Sequence, residues 1–150
     1  MFIDALCLLS DAQAVSADAA STNSYDCGNV TPKREISSGE PLCIAFAVDV
    51  AADVADGDET YEFQVIQSAN SNLSSPDILT KTDTALVTRT VLVAGYKFYM
   101  AFTPQLVTKR YVGAFYNVDG TTPTITVTAV IQPLSMIQTD KTYAKGYTVS

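Results

Sequence analysis

The sequence predicts an all-β protein, a two-sheet antiparallel β-sandwich with extended N- and C-terminal arms. Three observations carry this. In Tyr111 to Pro133, Val112, Ala114, Tyr116 and Val118 share one parity, Asp119-Gly120 makes a turn, and Ile125, Val127, Ala129 and Ile131 alternate with Thr124, Thr126 and Thr128. One apolar and one threonine face make a half-buried strand, so this segment reads as a β-hairpin. About eight short runs are separated by turn signals, and no long 3.6-residue period intervenes. Charged residues are only 17% against 47% hydrophobic, with much Ser, Thr and Ala, which suits sheets better than long helices. At 150 residues one core suffices, because a domain of this size buries roughly 70% of its unfolded surface.

The chain divides into an N-terminal arm (1–31), a sandwich (32–133) and a C-terminal arm (134–150). The first segment is rich in small residues and aspartates, with little bulky apolar material after Leu9, and reads as an extended arm with one or two short strands. Asp26 to Asn29 and Ser37 to Pro41 are turns. Leu42, Ile44, Phe46, Val48 and Val50 then alternate with Cys43, Ala45, Ala47 and Asp49 to give a core strand. The acidic loop Ala51 to Thr60 leads to a strand in which Tyr61, Phe63 and Val65 alternate with Glu62 and Gln64. Shorter strands are expected at Ile78 to Lys81 and Ala85 to Leu92, and another at Phe98 to Phe102. After Pro133 the apolar alternation ends, and Tyr143 and Tyr147 stand among polar residues, as in an arm ordered by a neighbour.

A net charge of −7 argues against nucleic-acid binding, which draws its affinity from bases that neutralise phosphates. The charge is uneven: residues 1–32 hold four aspartates and no base, whereas residues 81–111 hold five bases against Asp83. Such asymmetry either orients copies against one another or belongs to solvated loops. Cys7, Cys27 and Cys43 are odd in number and lack CxxC spacing, so all three are expected to be thiols in a reducing cytoplasm. The start MFIDALCLL has no positive n-region and no apolar run approaches the roughly 20 residues of a membrane span, so a soluble, uncleaved chain without a membrane partner is expected.

Chemistry is hard to place. The absence of histidine excludes the Ser-His-Asp relay, the Cys-His pair and every His-ligated metal site. No SxxK, GxGxxG or GxxxxGK occurs. The run Asp53, Asp56, Asp58, Glu59 offers hard oxygen ligands but breaks the order of a calcium-binding EF-hand loop, so a solvated hairpin loop is the better reading. Tyr96, Phe98, Tyr111, Phe115 and Tyr116 resemble a stacking platform in composition, but their alternating positions place them in a core. Neither catalysis nor a cofactor or metal is expected.

Ser10 to Val15 with Ala20 to Asn23, then Gly39 to Leu42 (GEPL), a small-residue acidic loop, Ala94 to Tyr96 and Arg110 to Val112 resemble the tailed-phage capsid cement proteins first named from a Bordetella phage. The likeness covers about residues 8–131. It implies a jelly-roll-like sandwich that decorates the outer capsid surface and bridges neighbouring major capsid protein subunits, in a virion assembled in the host cytoplasm. It also implies self-association, with a dimer favoured over a trimer. On this reading Asp11, Gln13, Val15, Asn23, Glu40, Lys109, Arg110, Tyr111, Tyr143 and Tyr147 contact the capsid or a neighbouring copy. The alternative is a carbohydrate- or receptor-binding β-sandwich of a phage tail or fibre.

Overall fold

A computed structural model describes residues 5–28 and 41–137. Among the described residues nine strands are formed: β1 (Leu8–Val15), β2 (Ala19–Ala20), β3 (Tyr25–Asp26), β4 (Leu42–Val50), β5 (Thr60–Ser68), β6 (Asp77–Lys81), β7 (Lys97–Phe102), β8 (Tyr111–Asp119) and β9 (Ile125–Pro133). Short 3-10 turns follow β7 and β9, at Pro104–Leu106 and Leu134–Met136, and there is no α-helix among the described residues.

The strands make two antiparallel sheets. One has the order β1-β9-β4-β7 and the other β2-β8-β5-β6, with β3 continuing the β2 side of β8. With β2 and β3 as halves of one interrupted strand, the chain changes sheet at every step except β5 to β6, which is the jelly-roll path. The expected antiparallel sandwich is therefore the observed fold.

The pairing within it differs from the expectation. β8 and β9 do not form a hairpin: β8 pairs with β5 along its whole length and β9 pairs with β4 and β1. Their apolar faces, Val112, Ala114 and Tyr116 on one side and Ile125, Val127, Ala129 and Ile131 on the other, belong to one core cluster between the sheets. An arch of this kind sets the two apolar faces against each other across the core, whereas side-by-side pairing in one sheet would leave both to be covered by other strands. The acidic loop after β4 is likewise an arch between sheets rather than a hairpin loop.

Residues 8–26 are not an arm but belong to both sheets. β1 escapes the period-two test because its register against β9 slips twice, between Leu8 and Ser10 and between Ser10 and Gln13, and Ala12 has φ of 44°. Each slip is a bulge: adjacent Leu9 and Ser10 are both buried, and a count by twos from Leu9 to Val15 is broken by Asp11 and Gln13. The expected strand at Ala85 to Leu92 is also absent. Asp83 accepts the backbone N–H groups of Leu86 and Val87 through its carbonyl and that of Ala85 through its carboxylate, winding the segment into turns. Leu92 is nevertheless buried, while Leu86 faces solvent. The Ser37 to Glu40 part of the expected turn and residues 138–150 of the expected C-terminal arm lie outside the described residues.

The middle of the core is aromatic. Phe46 of β4 stacks on Phe98 of β7 at 5.0 Å and meets Phe63 of β5 and Tyr116 of β8 edge-on at 5.4 and 6.4 Å. Each sheet thus presents rings to the other in the edge-to-face arrangement that ring quadrupoles favour. On the outer face of the second sheet the β5–β6 loop folds back, and buried Leu73 occupies the space above Gly113 that a side chain there would fill.

Candidate functional site

Three groups of polar side chains organise the surface. The first lies in the stretch that carries the likeness to the cement proteins. Ser10 Oγ donates to Gln13 Oε1 at 2.7 Å, and Gln13 Nε2 donates to the Ala20 carbonyl at 2.9 Å. Because the Ser10 proton is thereby used, the buried Tyr116 hydroxyl donates to Ser10 Oγ at 2.8 Å. Burial raises the Tyr116 pKa, with the Ser10 hydrogen bond opposing, so the phenol stays protonated. The Thr22 N–H also donates to Gln13 Oε1, and the Asn23 N–H and side-chain amide donate to the carbonyls of Leu9 and Leu8. Ser21 exchanges bonds with the Ala114 backbone of β8. Together these bonds tie the edge strand of one sheet to that of the other.

Ser10→Ala is expected to lower stability by about 1–3 kcal/mol, since it orphans a buried hydroxyl. Tyr116→Phe in the same chain should recover part of the loss, because both polar partners are then gone. Urea unfolding of the two single variants and the double variant measures the coupling, and strict additivity would refute the bond.

The second group lies at the end of the sandwich where β8 starts. Gln67 Oε1 accepts from the backbone N–H groups of Thr108 and Lys109, at 2.8 and 3.1 Å. Lys109 Nζ lies 2.8 Å from Asp77, and Arg110 makes a two-pronged bond to Asp26, both prongs at 2.8 Å. That bond raises the Arg110 pKa further above its ordinary value. The guanidinium also lies 5.1 Å from the centroid of the Tyr111 ring, in cation–π range.

The third group is the acidic loop at the opposite end. Glu59 is buried and accepts the N–H groups of Asp56 and Gly57 at 2.9 and 3.0 Å, with Arg89 Nε at 3.7 Å. Asp58 takes the N–H and hydroxyl of Thr121, both at 2.9 Å, and these bonds hold its carboxyl below the usual range. Asp53 caps the Ala55 N–H. The carboxylates thus build turns, and among the described residues no three His, Cys, Asp or Glu side chains cluster as metal ligands.

The basic segment, read as orienting copies or as solvated loops, is largely met by its own chain. Lys81, Arg89, Lys109 and Arg110 pair with Glu62, Glu59, Asp77 and Asp26. Glu62 is held below the usual carboxylate range, chiefly by a hydrogen bond from Gln64 and also by Lys81. Cys7, Cys27 and Cys43 are thiols, and burial pushes Cys43 up to about 11, far from thiolate chemistry at neutral pH. No helix among the described residues is long and apolar enough to cross a membrane.

A family model named Bbp16 matches residues 9–131, from β1 to β9. The chain belongs to the Bbp16 family. The name fits the Bordetella-phage family that the N-terminal motifs resemble, and marks the chain as a phage protein. No curated protein matches the chain.

Within this Bbp16 jelly roll the expected contact residues separate. Val15 is 2% exposed and belongs to the core, so its side chain is withdrawn from any partner. Gln13 and Asn23 spend their amides on the clamp, which gives them a fold-holding role. Asp11 is exposed beside the β1 bulge. Lys109, Arg110 and Tyr111 are brought together with Asp26 and Asp77 at one rim. Glu40, Tyr143 and Tyr147 lie outside the described residues. Of the five aromatics in the stacking-platform reading, Tyr116 is core, Tyr96 and Phe98 pack against the core, and Tyr111 and Phe115 are half-buried. Sequence reasoning missed Ser10, Asp26 and Gln67, whose partners are about 40 to more than 100 positions away; no local pattern reports such bonds.

Proposed function

We propose that this Bbp16-family protein is a capsid cement protein that binds the outer surface of a phage head and bridges neighbouring major capsid protein subunits. The observation that carries this reading is the family match from β1 to β9, over the stretch whose motifs resemble the cement proteins. Its chemistry supports it: an acidic sandwich with its described polar groups tied into the fold suits a rigid part that acts by contact, without a catalytic step or a cofactor. Weak contacts repeated by symmetry over many copies strengthen a shell through effective concentration.

The rim of Arg110 and Tyr111 is the proposed contact point. Arg110 is about two-fifths exposed yet held by Asp26 and Tyr111, so little side-chain freedom is lost on docking, and Arg and Tyr are frequent binding anchors. The double variant Arg110→Ala, Tyr111→Ala is expected to remain folded, because exposed ion pairs contribute about 0–1 kcal/mol. Its occupancy on purified heads stripped of the protein should fall about tenfold or more. Unchanged occupancy would remove the rim from the contact. If the unaltered protein bound a glycan array and not heads, the receptor-binding alternative would replace this reading.

A further inference from the structure

The end of β4 carries a large apolar side chain where alternation would bury it and the fold turns it out. Leu42, Ile44, Phe46 and Val48 are buried in the core, yet Val50, the next residue of that parity, is 58% exposed. The cause is a bulge. The register of β4 against β9 slips between Val48 and Val50, so that Asp49 and Val50 both reach solvent. Bulges re-aim side chains and are frequent beside functional sites.

A neighbouring turn adds to this surface. The Gly95 N–H donates to the Val48 carbonyl and the Ala52 N–H to the Leu92 carbonyl, so residues 92–95 run antiparallel along residues 48–52. That register sets Val93 and Ala94 beside Val50 and Ala51. The Tyr96 N–H closes the turn on the Val93 carbonyl, and Gly95 has φ of 86°. Val93 is 54% exposed, and Val54, in the turn capped by Asp53, is 48% exposed. Turn positions ordinarily carry Gly, Pro, Asn, Asp or Ser. Adjoining exposed valines there differ from apolar residues scattered singly, and mark a contact surface.

Charge decides the occupant. Asp49 and Asp53 flank the valines in the chain, and Asp56 and Asp58 follow on the same arch, bonded to Thr122 and Thr121. Bonds from hydroxyl and N–H groups leave each carboxylate its charge. Of the nearby bases, Arg89 is spent on buried Glu59, and Lys97 pairs with Ala47, three positions before Val50. A second copy of the chain suits this surface poorly, because its Lys81, Arg89, Lys109 and Arg110 are matched within the chain. An apolar centre flanked by carboxylates complements apolar side chains set among lysines and arginines.

We propose that the arch surface of Val50, Val54 and Val93 docks a basic amphipathic segment of another protein. It lies at the other end of the sandwich from Arg110 and Tyr111, and it does not rest on the shell-binding reading. Titration of the full chain with a labelled amphipathic Lys/Leu peptide, and with a Glu/Leu peptide of the same length, tests it. The basic peptide is expected to bind about tenfold more tightly or better, and to weaken as salt is added. Val50→Ser with Val93→Ser should weaken it about tenfold. Asp49→Asn with Asp56→Asn should also weaken it while keeping the apolar centre, and Arg110→Ala with Tyr111→Ala should leave it unchanged. Thermal unfolding checks that each variant is folded. Equal binding of the two peptides, or undiminished binding by either arch variant, would overturn the proposal. So would self-association of the unaltered chain that the valine variant abolishes, since the occupant would then be a second copy.

Discussion

Phe46→Ala is expected to destabilise the protein by about 3–5 kcal/mol, the usual cost of deleting a buried aromatic ring. For a domain of this size that corresponds to a fall in Tm on the order of 10 °C or more. Phe46 is 1% exposed and touches rings from both sheets, so its removal opens a cavity where the layers meet and not at a margin. Phe98→Ala should cost less, since that ring is only half-buried. Thermal and urea unfolding measure both. A loss below about 1 kcal/mol for Phe46→Ala would mean that the sheets do not close on this ring.

Gly120→Ala should be the most damaging single-methyl change at a glycine of the arch loops. Gly120 has φ of 105°, and a Cβ built there lies 2.7 Å from the Asp58 carbonyl oxygen and from Glu59 Cα. Both are backbone atoms of the facing arch, pinned by Asp58 to Thr121 and by the buried Glu59. Backbone strain of about 1–3 kcal/mol and overpacking of similar size combine to roughly 2–5 kcal/mol. Gly95→Ala is the control: its φ is 86°, but nothing lies within 4 Å of its Cβ, so it carries the strain alone. The difference between the two variants in urea isolates the clash. Equal losses would show that the two arches do not approach as described.

The strands of the central core were legible as strands. β4, β5, β7, β8 and β9 fall on the runs in which large apolar residues recur every second position, because a half-buried strand cannot bury its core face in any other way. β1 was not legible, since its bulges break the count and its buried Ser10 is polar. The candidate site was read only in part. The stretch from Ser10 to Asn23 and the triplet from Lys109 to Tyr111 stand out in the sequence, but Gln13 and Asn23 prove to clamp one sheet edge to the other.

By itself, the sequence determined the all-β class, the extent of the main strands and the face each residue presents. Only the tertiary structure decided which strand lies beside which. Alternation constrains the direction normal to the sheet, whereas partners are chosen along the hydrogen-bonding direction, where every backbone offers the same donors and acceptors. The few residues after Asp119 would serve a hairpin or an arch equally well. The arch forms because it sets the apolar faces of β8 and β9 across a shared core, where both leave water together.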